Sequence, residues 1–303
     1  MDTACPSSLP PPGSNAAALP EGSSARLDPS EWGRVTLVGA GPGDAELLTL
    51  KAARVLASAD LVLYDNLVSG DVLAHVAAGA ERIYVGKQSR NHTLPQEGII
   101  ELMVRLAQSG RSLVRLKGGD PYIFGRGGEE AEALAAAGIA CDTVPGISAA
   151  QGASATTGIP LTHRDHAAML VFATGHLQGE EGERTVALDW AALARPRQTV
   201  VIYMGVGTLP IICAQLIAHG LPASTPAAMV ERATLPGQRS IVGTLQTLPQ
   251  LSVAHGVNPP ALIMIGETVA LQGRIGSPDG VFGALPPQTA GVAASAQPAA
   301  CAA

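Results

Sequence analysis

Val35-Thr36-Leu37-Val38-Gly39-Ala40-Gly41-Pro42-Gly43-Asp44 is a short aliphatic run that breaks into three glycines spaced two apart and then enters a helical pattern. A strand that delivers a glycine-rich turn to a helix start opens a βα unit, where backbone can approach a ligand closely and helix-start amides favour an anion. The same alternation continues outward. Leu61–Tyr64, Arg82–Val85, Ser112–Leu116 and Ala140–Val144 read as further strands, and the segments between them carry helical periodicity. Ile99, Leu102, Met103 and Leu106 fall at i, i+3, i+4 and i+7 between Pro95 and Gly110, which supply start and stop signals. Repeated β-α-β units with nearly continuous apolar strands predict an α/β fold whose N-terminal sheet is mainly parallel and covered by helices on both faces.

A second series follows at Ala168–Ala173, Thr199–Tyr203, Ala227–Val230, Ser240–Val242 and Ala261–Ile265. Two of these strands lie close together around Pro236-Gly237, so this half is expected to hold a mixed sheet. Gly158-Ile159-Pro160-Leu161-Thr162-His163-Arg164 is short, polar and broken by proline, which suits a crossing between domains where clefts form. Domains are therefore expected at 31–160 and 161–275. Residues 1–30 and 276–303 are rich in Pro, Ser and Ala without a period and read as disordered tails.

Composition narrows the function. With 47% apolar and 15% charged residues among 303, the chain can bury a large core. Only 3% of residues are aromatic and the net charge is −6, which disfavours a nucleic-acid binder. Cysteines at 5, 141, 213 and 301 form no C-x-x-C pair, so no metal centre or disulfide framework is indicated. The chain shows no membrane-length apolar run and no signal peptide; a cytoplasmic protein without membrane partners is expected.

Two motifs can carry chemistry. The glycines at 39, 41 and 43, with Asp65 ending the next strand, suggest a nucleotide-like ligand or a dinucleotide-dependent oxidoreductase. Against the latter, Asp44 stands where the fingerprint wants its third glycine, and Pro42 removes an amide donor. A purely structural turn is the remaining alternative. The second motif, Arg115-Leu116-Lys117-Gly118-Gly119-Asp120-Pro121-Tyr122-Ile123-Phe124-Gly125-Arg126-Gly127-Gly128-Glu129-Glu130, follows the fourth strand, at the sheet end where open α/β folds bind ligands. Its alternative is an ordinary loop with solvated charges. From Arg82 to Arg126 eight basic residues stand against three acids, an excess that suits a polyanionic substrate steered into one cleft.

Taken together, Val38–Asp44, Leu63-Tyr64-Asp65, Val85-Gly86-Lys87, Arg115–Pro121, Phe124–Glu130, Val144-Pro145-Gly146-Ile147-Ser148 and Gly158–Arg164 resemble the uroporphyrinogen-III C-methyltransferases of the tetrapyrrole methylase family. The resemblance implies a two-domain tetrapyrrole-methylase fold, a homodimer, and S-adenosylmethionine held between the domains. It implies conversion of uroporphyrinogen III to precorrin-2 by methylation at ring carbons two and seven, on the routes to sirohaem and cobalamin, without a metal. By the same resemblance the donor would be bound by Pro42, Gly118, Gly119, Asp120, Ile123, Ser148, Ala149, Met204 and Ala233, with Asp120 as polar anchor. Asp65 would accept a proton and Lys87 donate one. Arg115, Lys117, Arg126 and Arg164 would meet substrate carboxylates, a task that suits the guanidinium fork. Asn66 stands where many relatives carry arginine, and Ala233 where several carry glycine. A stand-alone methylase is expected rather than one fused to a dehydrogenase and chelatase. The alternatives are a later corrinoid-pathway precorrin methyltransferase, the dinucleotide-binding oxidoreductase, and a non-catalytic tetrapyrrole carrier.

Overall fold

The computed structural model describes residues 27–86, 94–177 and 185–275; most of both expected tails and the candidate Lys87 lie outside these residues. Leu27–Ser30, which composition assigns to the N-terminal tail, lead into a capped 3-10 turn: Asp28 caps Pro29–Glu31, and Trp32 Nε1 donates to the Leu27 carbonyl.

The first half holds five parallel strands, β1 (Val35–Gly39), β2 (Leu61–Tyr64), β3 (Glu81–Tyr84), β4 (Leu113–Lys117) and β5 (Cys141–Val144), in the order β3-β2-β4-β1-β5. Its helices are α1 (Leu50–Ala57), α2 (Gly70–Leu73), α3 (Gln96–Gln108), α4 (Gly127–Ala136) and α5 (Ala149–Thr157). Strand side chains alternate faces. Accordingly Val35, Leu37, Leu61, Leu63 and Leu113 pack with Ile99, Met103 and Leu106 of α3 and Leu134 of α4. On the opposite face Val38, Val62, Val114 and Leu116 pack with Ala52 and Leu56 of α1 and Val72 of α2. Both faces are covered, so the apolar strands have no wet side. The predicted helix behind Pro95 buries Ile99, Met103 and Leu106 and is followed by Gly110 at φ 84°.

Strand order decides where the site lies. A dinucleotide-binding sheet has β1 beside β2; here β4 intervenes, which sets the carboxyl ends of β1 and β4 side by side. Both glycine-rich loops therefore leave the sheet at one place.

The second half holds β6 (Met169–Thr174), β7 (Gln198–Tyr203), β8 (Pro226–Glu231), β9 (Arg239–Thr244) and β10 (Ala261–Ile265), ordered β6-β7-β10-β8-β9. Only β6 and β7 run parallel; the other pairs are antiparallel, giving the expected mixed sheet. Helices α6 (Trp190–Leu193), α7 (Leu209–Ala218) and α8 (Leu248–Ala254) cover one face, where Leu193, Ile212, Leu216 and Leu248 meet Ile202, Met229 and Ile263. The other face is covered in part by α5: Ala150 and Ala153 pack on Val201, Ala228, Val230 and Leu262. The last helix of the first half in sequence thus packs into the core of the second, so the chain reaches the second half ahead of α5. Among the described residues no helix is long and apolar enough to span a membrane.

Candidate active site

Three backbones meet at the ends of β1, β4 and β5. Gly41 and Gly119 exchange hydrogen bonds, N to O, at 3.2 and 2.7 Å. A Cβ on Gly39 would lie 2.5 Å from Gly146 N, and one on Gly146 would lie 2.2 Å from Gly119 O, so these positions accept only glycine. Asp120 clamps the arrangement: Oδ2 accepts from Gly146 N at 3.0 Å and Oδ1 from Tyr122 N at 2.9 Å. Ser148 and Ala149 follow directly, beside Gly119.

The second half closes on these loops. Asp44 N donates to Thr234 Oγ1 at 3.1 Å, and a Cβ on Gly152 would lie 2.7 Å from Pro42 and 2.9 Å from the Thr234 methyl. The Tyr203 hydroxyl accepts from Ala150 N at 3.1 Å, and its ring lies 4.8 Å from that of Phe124. Burial, before any other influence, pushes the Tyr203 hydroxyl above its ordinary pKa. Met204 follows at the end of β7, exposed and at φ 55°. Among the described residues six non-glycine residues have left-handed backbone, and five of them, Phe124, Arg126, Met204, Arg232 and Thr234, sit on the loops that follow β4, β7 and β8. Such strain concentrates at functional sites. Pro42, Gly119, Asp120, Ser148 and Ala149 are thus brought together where the halves meet; Ala233 is buried beside Ala150 and Ala153, Met204 directly follows Tyr203, Ile123 N donates to the Asp120 carbonyl, and Gly118 lies against Leu67. The junction is built from close-packed glycine backbone, and both Asp120 carboxylate oxygens are engaged by backbone amides.

The cations are arranged differently from the sequence reading. Strand alternation turns Arg115 and Lys117 toward α3 and α4, and their side chains are 3% exposed. Glu130, completely buried in the first turn of α4, receives Lys117 Nζ at 3.0 Å, Arg115 Nε at 3.3 Å and Gln96 Nε2 at 3.0 Å, all on Oε1. Arg115 Nη2 reaches Asp65 Oδ2 at 3.3 Å, while Asp65 Oδ1 accepts from Leu67 N at 3.1 Å. Desolvation first, then the Arg115 charge, pushes the Lys117 ammonium below its ordinary pKa. As they stand, Arg115 and Lys117 answer an internal carboxylate and present no open fork to a ligand. Arg126 is exposed, with its guanidinium 2.6 Å from Glu129; this contact raises the one pKa and lowers the other. Arg164 is exposed on the crossing segment, where its carbonyl accepts from Arg197. Lys87 lies outside the described residues.

Four of the eight cations of the basic run are matched by acids just beyond its ends: Glu81 takes Arg111, Glu129 takes Arg126, and Glu130 takes Arg115 and Lys117. Sequence reasoning missed Glu130, Phe124, Tyr203 and Thr234. The scarcity of aromatics was an available signal for the two rings; Glu130 had none beyond its helix-start position. Among the described residues no three His, Cys, Asp or Glu side chains gather as a metal site.

Comparison with known proteins gives a consistent result. A family model described as Tetrapyrrole (Corrin/Porphyrin) Methylases matches residues 34–249. Siroheme synthase of Nitrosospira multiformis is 54% identical over 243 residues, covering 80% of this chain and 51% of that protein. That of Thiobacillus denitrificans is 51% identical over 266 residues, covering 88% and 53%. The chain spans about half the length of these curated relatives. Among solved structures, uroporphyrin-III C-methyl transferase from Thermus thermophilus complexed with S-adenyl homocysteine is 41% identical with TM-score 0.67, covering 79% of this chain and 94% of that one. A cobalt precorrin-4 methyltransferase is 26% identical with TM-score 0.68, covering 81% and 99%.

Proposed function

The chain belongs to the tetrapyrrole methylase family, and we propose that it is a methyltransferase that carries methyl groups from S-adenosylmethionine to uroporphyrinogen III, giving precorrin-2 by methylation at ring carbons two and seven. The observation that carries this reading is the junction where the two glycine loops, the start of α5 and the end of β7 at Tyr203 converge. Its support from outside is the 41% identity to a methyltransferase crystallised with S-adenyl homocysteine, against 26% for the precorrin-4 enzyme.

In this reading the donor lies against Pro42, Gly118, Gly119, Asp120, Ile123, Ser148, Ala149, Met204 and Ala233. When bound it supplies an electrophilic methyl group on a sulfonium. The protein's part is to hold an electron-rich pyrrole carbon in line with that methyl and to manage the proton the ring then loses. Asp65, a quarter exposed and fixed by Leu67 N and Arg115, is the proposed acceptor of that proton. Lys87 is the proposed proton donor. Arg126 and Arg164, both exposed, are proposed to meet substrate carboxylates, and Arg115 and Lys117 to act from behind Asp65. A homodimer is also proposed, to be checked by sedimentation.

Anaerobic incubation of the protein with S-adenosylmethionine and uroporphyrinogen III, followed by mass and absorbance, is expected to show two methyl additions. No transfer would refute the reading. Preference for an already methylated ring would reassign it to a later corrinoid step. Tight binding of a nicotinamide cofactor without binding of S-adenosylhomocysteine would reverse it in favour of an oxidoreductase.

A further inference from the structure

We infer that Glu130 is a positioning residue for Asp65, acting through Arg115: the buried carboxylate grips the guanidinium so that one face of the fork is spent internally and the other is held against Asp65. The inference rests on the reading of Asp65 as proton acceptor.

The four side chains are joined through the buried Glu130, which holds both Lys117 and Arg115, with Arg115 reaching on to Asp65; relative exposures are 0% for Glu130, 3% for Lys117, 3% for Arg115 and 25% for Asp65. Arg115 is held at three points. Nε goes to Glu130 Oε1 at 3.3 Å, Nη1 to the Leu116 carbonyl at 3.1 Å, and Nη2 to Asp65 Oδ2 at 3.3 Å. With Leu67 N on Oδ1, both oxygens of Asp65 have a fixed neighbour.

The arrangement is costly to the fold. Two cations and a carboxylate are almost wholly removed from water, and Glu130 Oε1 takes three donors while buried Oε2 has no hydrogen-bond partner. Buried ion groups of this kind seldom add stability relative to apolar packing of similar volume. The sheet offers such packing readily, since the neighbouring Leu113 on the same face of β4 is apolar and buried. What the ions provide is orientation: a guanidinium with one free direction, aimed at the one member of the group that meets solvent. Lys117 completes the balance. Glu130 faces both cations, and without its charge Arg115 and Lys117 would repel each other in a desolvated space, as the lowered pKa of Lys117 already indicates. The guanidinium would then be displaced from Asp65.

The test uses the full chain and the methyl-transfer assay. Glu130→Gln is expected to lower kcat at least tenfold, with the KM for S-adenosylmethionine and the Kd for S-adenosylhomocysteine within twofold of the parent. Adding Lys117→Met to Glu130→Gln restores the net charge of the group, and kcat is expected to recover at least fivefold over the single variant. Arg115→Lys, which keeps the charge and loses the three-point grip, is expected to lower kcat at least tenfold with donor affinity intact. It also decides the matter if Glu130→Gln does not fold. Asp65→Asn separates the two layers of reasoning. Full activity of Asp65→Asn overturns the acceptor reading itself. An inactive Asp65→Asn beside Glu130→Gln and Arg115→Lys variants of near-parental kcat overturns only the positioning role. A loss in Glu130→Gln that affects kcat and donor affinity alike, with no recovery in the double variant, marks a structural strut and also overturns it.

Discussion

Replacing Asp120 with alanine removes a carboxylate that accepts two backbone amides, Tyr122 N at 2.9 Å and Gly146 N at 3.0 Å. The second bond joins the loop after β4 to the end of β5, at a point where Gly146 already stands too close to Gly119 for any side chain. A hydrogen bond to a charged acceptor contributes about 1.5–3 kcal/mol net. Asp120 is half-buried, so the lower figure applies, and two bonds give about 3 kcal/mol. For a protein of this size that lowers Tm by about 6–12 °C. The loop that loses its clamp carries Gly118, Gly119 and Ile123, so calorimetry should find S-adenosylhomocysteine bound at least tenfold more weakly. Asp120→Asn retains one acceptor and should fall between alanine and parent in both measurements. Thermal unfolding of Asp120→Ala within about 1 °C of the parent, with unchanged affinity, would refute the assignment of this carboxylate as the joint between the two loops.

Three further outcomes are expected. Met204→Gly relieves a left-handed backbone at φ 55° but gains freedom in the unfolded chain; the effects oppose each other at about 1 kcal/mol each, so stability should hold while donor affinity falls, as chemical denaturation and calorimetry will report. Burial pushes the Cys213 thiol from 9.0 up to about 11, so the folded chain keeps a proton that the unfolded chain loses. Stability should therefore decline as pH rises from about 9 to about 11, by up to ~3 kcal/mol, and urea midpoints of Cys213→Ala should lack this component of the decline. Gly152→Val drives a branched side chain into Pro42 and Thr234 and should cost about 2 kcal/mol in urea unfolding; parental stability would contradict the tight seating of α5.

Much of the architecture was legible because the strands are continuous apolar runs bounded by glycine, proline or charge. All ten expected strands exist within a residue or two of their expected limits, and the Pro236-Gly237 hairpin joins β8 to β9. Strand order was not legible, since nothing local in Leu113–Lys117 says that it inserts between β1 and β2. The site was legible as two glycine loops, and the sheet order explains why they meet. The cations were harder to read. Arg115 and Lys117 alternate along a strand in the manner of residues facing a ligand, and their counter-charge stands on a helix that reaches them only through tertiary packing. Tyr203 ends an ordinary apolar strand, and only the fold reveals that its hydroxyl receives the first turn of α5.

That helix also bears on how the molecule can be dissected. A fragment starting at residue 161 would leave Val201, Ala228, Val230 and Leu262 without the cover that Ala150 and Ala153 provide, and the complementary fragment would carry that oily stripe with nothing to receive it. Split versions meant to reassemble should be severed ahead of Pro145, so that α5 travels with the sheet it insulates.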